Sequence, residues 1–200
     1  MIDPHAPGVP DDAFSRGAAP MTKMEVRAVT VAKARIAPGG RVLDVGAGTG
    51  ALTVDAALSC PSGEVIAVER DEAALALLRE NVARLASGNV TVVAGEAPDA
   101  FAQVGGVFDA VLIGGSGGRL ADIVSALPSR LVPGGRVVVN TIGLTSTTAA
   151  LAALADAPWT GRECVQVSVS RAEPIGRDLR FVPLNPVWLV SATLADGGER

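Results

Sequence analysis

The stretch from Arg41 to Gly50, taken together with Glu69, constrains this chain more than any other part of it. Val42 and Leu43 begin an apolar strand, Asp44 follows, Gly46-Ala47-Gly48-Thr49-Gly50 forms a turn, and Ala51-Leu52-Thr53 opens a helix. A strand that feeds a helix through so tight a turn needs residues that tolerate positive φ and carry no Cβ where a ligand lies against the backbone. The helix start then points unpaired N–H groups at the same spot. Further along, Glu64-Val65-Ile66-Ala67-Val68 is a second β-rich run, and it ends in Glu69. An acidic residue at the end of the second strand of a βαβ unit can accept hydrogen bonds from ribose hydroxyls. The pattern predicts binding of an adenosine-like cofactor.

Gly46, Gly48 and Ala51 also satisfy the looser G-x-G-x-x-G/A pattern, so the glycines alone leave a nicotinamide or flavin oxidoreductase open. Asp44 points elsewhere, because its carboxylate repels a pyrophosphate and attracts an ammonium or a sulfonium. Gly50 makes the spacing G-x-G-x-G, and the chain has no tyrosine to act as an acid. Val42-Leu43-Asp44-Val45-Gly46-Ala47-Gly48-Thr49-Gly50 resembles the first motif of the class I S-adenosylmethionine-dependent methyltransferases.

Two hundred residues, 48% of them hydrophobic, suffice for one domain with a substantial core. A net charge of −4 and 3% aromatic residues argue against a nucleic-acid partner, which needs basic grooves and stacking platforms. No apolar run reaches the length of a membrane span and no signal peptide is evident, so a cytoplasmic protein is expected. Cys60 and Cys164 are isolated and expected to be packed in the interior. The only histidine, His5, lies in a proline-rich start, so neither a metal site nor histidine catalysis is expected.

Residues 1–17 read as an extended or flexible arm outside the core, and 18–195 as a single domain. Thr22 is a candidate N-cap for the first helix, with Glu25 completing a capping box. Asp71 can cap a helix over Glu72 to Leu85. Strands are expected over Asn89 to Ala94, Phe108 to Ile113 and Arg136 to Asn140, and helices over Leu120 to Leu131 and Thr145 to Leu154. Glu163 to Ser170 and Val187 to Leu194 suggest a closing antiparallel hairpin with a long connection between them. The expected fold is α/β: a doubly wound, mostly parallel, Rossmann-like sheet with helices on both faces and ligands beyond the carboxyl ends of the strands.

A narrower resemblance rests on Pro20-Met21-Thr22-Lys23-x-Glu25-Val26-Arg27, the glycine motif, Glu69, Gly95-Glu96-Ala97-Pro98, Ile113-Gly114-Gly115-Ser116-Gly117-Gly118, Pro133-Gly134-Gly135-Arg136, Val138-Val139-Asn140 and Leu184-Asn185-Pro186. Together these are similar to the decarboxylating precorrin methyltransferases of cobalamin biosynthesis. The resemblance implies a seven-stranded methyltransferase sheet and methyl transfer from S-adenosyl-L-methionine to carbon 15 of a precorrin tetrapyrrole, with S-adenosyl-L-homocysteine as product. It also implies loss of carbon dioxide from the acetate on carbon 12, a tetramer, and an occasional fusion to a carbon-5 methyltransferase.

On the same resemblance Thr22, Gly46, Ala47, Gly48, Thr49, Gly50, Glu69 and Ala97 match cofactor positions. Asp44 is assigned to the methionine end, Glu96 to the adenine, and Gly114 and Gly115 to the surroundings of the sulfonium. Met21 and Arg70, chain neighbours of Thr22 and Glu69, complete the cofactor candidates. A substrate with many carboxylates asks for cations, and Lys23, Arg119, Arg171, Arg177 and Arg180 are the candidates. Ser116 and Asn140 are candidate polar contacts beside the chemistry.

Overall fold

The computed structural model describes residues 7–86 and 88–196, so His5 lies outside the described residues. Nine strands and five α-helices are present among them: α1 (Met24–Ala34), β1 (Arg41–Val45), α2 (Ala51–Ser59), β2 (Glu64–Glu69), α3 (Glu72–Leu85), β3 (Val90–Ala94), β4 (Phe108–Ile113), α4 (Leu120–Ala126), β5 (Leu131–Thr141), α5 (Leu144–Ala153), β6 (Trp159–Val167), β7 (Ser170–Ile175), β8 (Asp178–Pro183) and β9 (Val187–Leu194). The main sheet has the order β3-β2-β1-β4-β5-β9-β6. Its first five strands are parallel, while β9 runs antiparallel to both β5 and β6. The expected closing pair is therefore β6 and β9, and their connection folds into a hairpin of its own, β7 with β8.

Alternation along the strands divides the core in two. Leu43, Val45, Val111, Ile113, Val137 and Val139 pack on one face with Leu120, Ile123 and Val124 of α4 and Ala150 of α5. Val42, Val65, Ala110, Leu112 and Val138 pack on the other with Val26 of α1 and Leu52, Ala56 and Ala57 of α2. A strand covered on both faces reads as a near-continuous apolar run, as β4 does from Ala110 to Ile113. Asp44 shares the face of Val42 and so points at α2. The strand order reverses between β1 and β4, which opens a crevice beyond their carboxyl ends.

Several local expectations change. Helix α1 begins at Met24 with no side-chain cap from its own sequence; the Asp11 carboxylate accepts the Met24 N–H at 2.9 Å, doing from the arm what Thr22 was expected to do. Glu25 turns away to Arg171, so the capping box does not form. The helix after β4 stops at Ala126 because Pro128 cannot donate to the helical ladder, and a short 3-10 turn follows. Strand β5 starts at Leu131, with Pro133, Gly134 and Gly135 inside it at a break in register opposite β4. Cys60 is buried as expected, but Cys164 is exposed, because β6 is an edge strand.

The described part of the arm is fastened to the domain. Phe14 is buried against Ala51, Val54 and Leu58 of α2. Asn81 of α3, fully buried, accepts the Ser15 N–H at 2.8 Å and donates to the Thr49 carbonyl at 2.9 Å, joining the arm to the glycine turn. Proline and glycine in the arm hid this packing, since it comes from residues far along the chain.

Candidate functional site

The crevice above β1 and β4 is a cleft of about 1250 Å³. Its walls are the arm's end from Gly17 to Lys23, the glycine turn, the end of β2, the turn after β3, the loop after β4, and Asn185 and its neighbours before β9. Gly46 has φ +68°, and a Cβ there would lie 2.2 Å from the Gly115 carbonyl oxygen and 2.7 Å from its Cα. The turns after β1 and β4 thus touch backbone to backbone, and only glycine at position 46 permits it. Gly115 itself is less confined: a Cβ there would have its nearest neighbour at 3.8 Å. Gly50 (φ +79°) faces α3 rather than the cleft, with Leu78 Cδ1 2.5 Å from its notional Cβ.

Asp44 is 1% exposed. Its Oδ2 accepts from the Thr53 hydroxyl at 2.6 Å, whereas Oδ1 is buried without a partner. Burial pushes its carboxyl up to about 6, the Thr53 hydrogen bond holds it back, and the charge of Glu69 adds to the rise. A buried carboxylate oxygen left bare at the wall of a cleft is costly unless a cation completes it.

Glu69 closes β2 with its carboxylate fixed on three backbone donors. Oε1 accepts the Arg70 and Asp71 N–H groups at 2.8 and 2.9 Å, and Oε2 accepts the Gly48 N–H at 2.8 Å. About one of the four lone-pair positions of a carboxylate remains, so a ligand hydroxyl must share Oε2 with the Gly48 amide. Asp71 also caps α3 as expected, accepting the Ala74 N–H at 2.8 Å. A carboxylate for a cation, a second carboxylate for hydroxyls and a backbone cradle between them suit a nucleoside that carries positive charge.

The cleft brings together Met21, Thr22, Asp44, Gly46, Ala47, Gly48, Thr49, Glu69, Arg70, Glu96, Ala97, Gly114, Gly115, Ser116 and Asn140. Glu96 does not stand free, because Arg70 Nη1 lies 2.6 Å from its Oε1 across the rim. Gly117, at φ +57°, gives room to that guanidinium, whose Cζ is 2.8 Å from a notional Cβ. Asn140 exchanges hydrogen bonds with Thr30 on α1.

Four of the five cationic candidates, Arg119, Arg171, Arg177 and Arg180, do not line the cleft. Arg119 pairs with Asp99 at 2.6 Å and Asp122 at 3.4 Å, and these hold it away from the cleft. Arg171 pairs with Asp11 at 2.7 Å and Glu25 at 2.6 Å, tying β7 to the arm and to α1. Arg180 pairs with Glu173 at 3.4 Å, so it shares a face of the hairpin with Arg171 but is held by a different carboxylate. The partners of Arg171 lie some 150 residues earlier in the chain, beyond the reach of any local pattern. Ala18, Ala19, Leu77 and Ile142 line the cleft without having been singled out; small and apolar residues carry no chemical signature in a sequence.

Residues 12–193 match a family described as a precorrin methyltransferase domain. The chain belongs to this family. It is 42% identical over 182 residues to the cobalt-precorrin-6B C(15)-methyltransferase (decarboxylating) of Salmonella typhimurium, covering 90% of this chain and 93% of that protein. The crystal structure of precorrin-6y C5,15-methyltransferase from Geobacter metallireducens superposes with a TM-score of 0.88 at 33% identity, covering 94% of this chain and 98% of that one. Precorrin 8w decarboxylase of Methanobacterium thermoautotrophicum does so with a TM-score of 0.86 at 31% identity, covering 92% and 98%. The chain is thus a precorrin-family methyltransferase.

Proposed function

We propose that this methyltransferase moves a methyl group from S-adenosyl-L-methionine to carbon 15 of a precorrin and releases carbon dioxide from the acetate on carbon 12, as a step of cobalamin biosynthesis. The 42% identity to an enzyme of that name, spread over nearly the whole chain, carries the proposal. Asp44 supports the choice of donor, since its bare Oδ1 can accept from an α-ammonium. Glu69 would take the ribose and the Gly46 turn the chain of the methionine moiety, with Glu96 and Ala97 beside the adenine. When bound, the donor supplies an electrophilic methyl. The protein's part is position: it holds donor and ring in line, with the bare backbone of Gly114 and Gly115 allowing a flat ring to approach. Lys23, Ser116 and Asn140 remain the substrate-side residues on the cleft wall.

Mass analysis of a precorrin incubated with the enzyme and S-adenosyl-L-methionine tests the reaction. A product that has gained a methyl and lost carbon dioxide supports it; methyl gain alone removes the decarboxylation. Calorimetric titration with S-adenosyl-L-homocysteine and, separately, NADH tests the class of donor, and NADH binding alone would overturn it.

Two variants test the assignments. Glu69→Ala should weaken S-adenosyl-L-homocysteine binding by about 1–3 kcal/mol, the scale of lost hydrogen bonds to a charged group; unchanged affinity removes Glu69 from the ribose. Asp44 should make binding depend on pH. Because a bound ammonium favours the ionised carboxyl, affinity should fall as pH drops below about 6. The ligand-free protein should respond in the opposite sense. The folded pKa lies above the unfolded value, so stability declines as pH rises from 3.8 to about 6 and is level above that. Asp44→Asn should therefore unfold at higher denaturant at neutral pH, bind the ligand more weakly, and lose the pH dependence of binding. A variant that keeps this dependence would exclude Asp44 as its source.

We extend the proposal to a cytoplasmic tetramer. Among the described residues no helix is long and apolar enough to cross a membrane. Ile175, Leu179 and Phe181 of the β7–β8 hairpin are exposed apolar side chains that an assembly would cover. Residues 18–195 are taken as one domain with the arm as its extension.

A further inference from the structure

A second concavity, of about 460 Å³, lies away from the cleft, between α1 and the sheet. It is lined by Lys33 and Arg35 at the carboxyl end of α1, by Arg136 of β5 and by Glu163 of β6. Lys23, at the other end of α1, belongs to the cleft, and the 11 residues between them span about 16 Å.

Arg136 is 6% exposed. Its Nε donates to the Lys33 carbonyl at 3.1 Å, Nη1 to the Thr193 hydroxyl at 2.8 Å and Nη2 to the Ser191 hydroxyl at 3.2 Å. All three acceptors are neutral, and no carboxylate lies within ion-pair distance among the described residues. Two of the five guanidinium N–H groups thus have no acceptor there. Burial lowers the Arg136 pKa and the charge of Arg35 lowers it further, with Glu163 opposing only in part. The single acid of the groove, Glu163, is engaged 2.7 Å from Lys33 Nζ. Three cations against one carboxylate leave two positive charges, offset only by the partial negative charge of a helix end. A buried guanidinium without an anion is costly, and a small dianion would relieve that cost through charge-assisted hydrogen bonds.

We infer that this groove is a binding site for a small dianionic oxyanion of the phosphate class, held by Arg136 with Arg35 and separate from the methyl-transfer cleft. Arg35 adopts the left-handed conformation (φ +52°), which glycine takes without cost, so Arg35→Gly removes a charge without straining the helix end. Glu163→Gln changes the charge in the opposite direction at an exposed side chain.

Inorganic phosphate is titrated calorimetrically into the full chain at low, constant ionic strength, with chloride and acetate as controls. The expected result is binding of phosphate that Arg35→Gly weakens about tenfold and Glu163→Gln strengthens several-fold, as electrostatics at short range requires. Arg136→Met should abolish it if that variant folds; the other two carry the test if it does not. S-adenosyl-L-homocysteine should bind all folded variants equally and leave phosphate binding unchanged. The inference falls if phosphate binds no better than chloride or acetate, if Arg35→Gly and Glu163→Gln leave its affinity alone, or if S-adenosyl-L-homocysteine displaces it, which would put the anion in the cleft.

Discussion

Arg27→Met is expected to lower the unfolding free energy by about 3–5 kcal/mol, the range found when one partner of a buried ion pair is removed. Arg27 is fully buried on α1. Its Nη1 lies 2.7 Å from Asp11 Oδ1 and its Nε 2.7 Å from Asp55 Oδ2. It also donates to the carbonyls of Thr22 and Val9 and stacks 4.9 Å from the Phe14 ring centroid. Methionine fills part of the volume but leaves two carboxylates facing a space with no cation between them. Asp55 keeps the Gly8 and Val9 N–H groups, and Asp11 keeps Arg171 and the Met24 N–H, so the loss should be large without being total. Urea unfolding measures it; a change below about 1 kcal/mol would mean that the network adds nothing beyond its packing.

The same network gives an acid dependence. Burial raises the Asp11 carboxyl, but hydrogen bonds from Arg171 and Arg27 outweigh it and hold the group below its ordinary value of 3.8. A depressed carboxyl contributes stability that is complete above that value and lost as pH falls through the folded pKa. The arm from Val9 to Met24 should therefore loosen only in strong acid. Because its end forms one wall of the cleft, Arg27→Met should weaken donor binding as well as stability.

Gly46→Ala is the second large effect. A left-handed conformation costs a residue with a Cβ about 1–2 kcal/mol. Overpacking against a backbone that cannot yield adds about 1–3 kcal/mol. Here the Cβ would sit 2.2 Å from the Gly115 carbonyl oxygen, so the turns after β1 and β4 must separate. That separation disrupts the floor of the cleft, and S-adenosyl-L-homocysteine affinity should fall at least about tenfold. Gly115→Ala is the control, since its Cβ meets nothing closer than 3.8 Å and the variant should fold normally. Equal stability and equal affinity in Gly46→Ala and the wild type would show that the two turns do not depend on their contact.

The first half of the fold was legible because its signals are local. An apolar run, an acid, a glycine turn and a helix start occur within about a dozen residues, and each has one economical geometry. Strand β4 is legible for the same reason, since Ala110 to Ile113 form an apolar run. Asp44, Glu69 and the turn from Gly46 to Thr49 are readable from sequence and stand together on the cleft because the strand ends that carry them are adjacent in the sheet. The closing strands were legible as a pair, but the hairpin between them was not, since β7 and β8 are mostly exposed and lack a buried face to impose alternation.

The state of the charges is set by the folded chain. Arg119 and Arg171 looked like substrate contacts by position, yet each is bound to carboxylates from other elements. Thr22 looked like a cap, and Asp11 of the arm supplies one instead. The bare oxygen of Asp44 and the uncompensated Arg136 are likewise invisible in a sequence. Where the backbone turns and which positions are apolar follow from local residue order, since sterics and burial act over a few neighbouring residues. Which charge meets which depends on groups far apart in the chain, and the folded chain alone brings them within hydrogen-bonding distance.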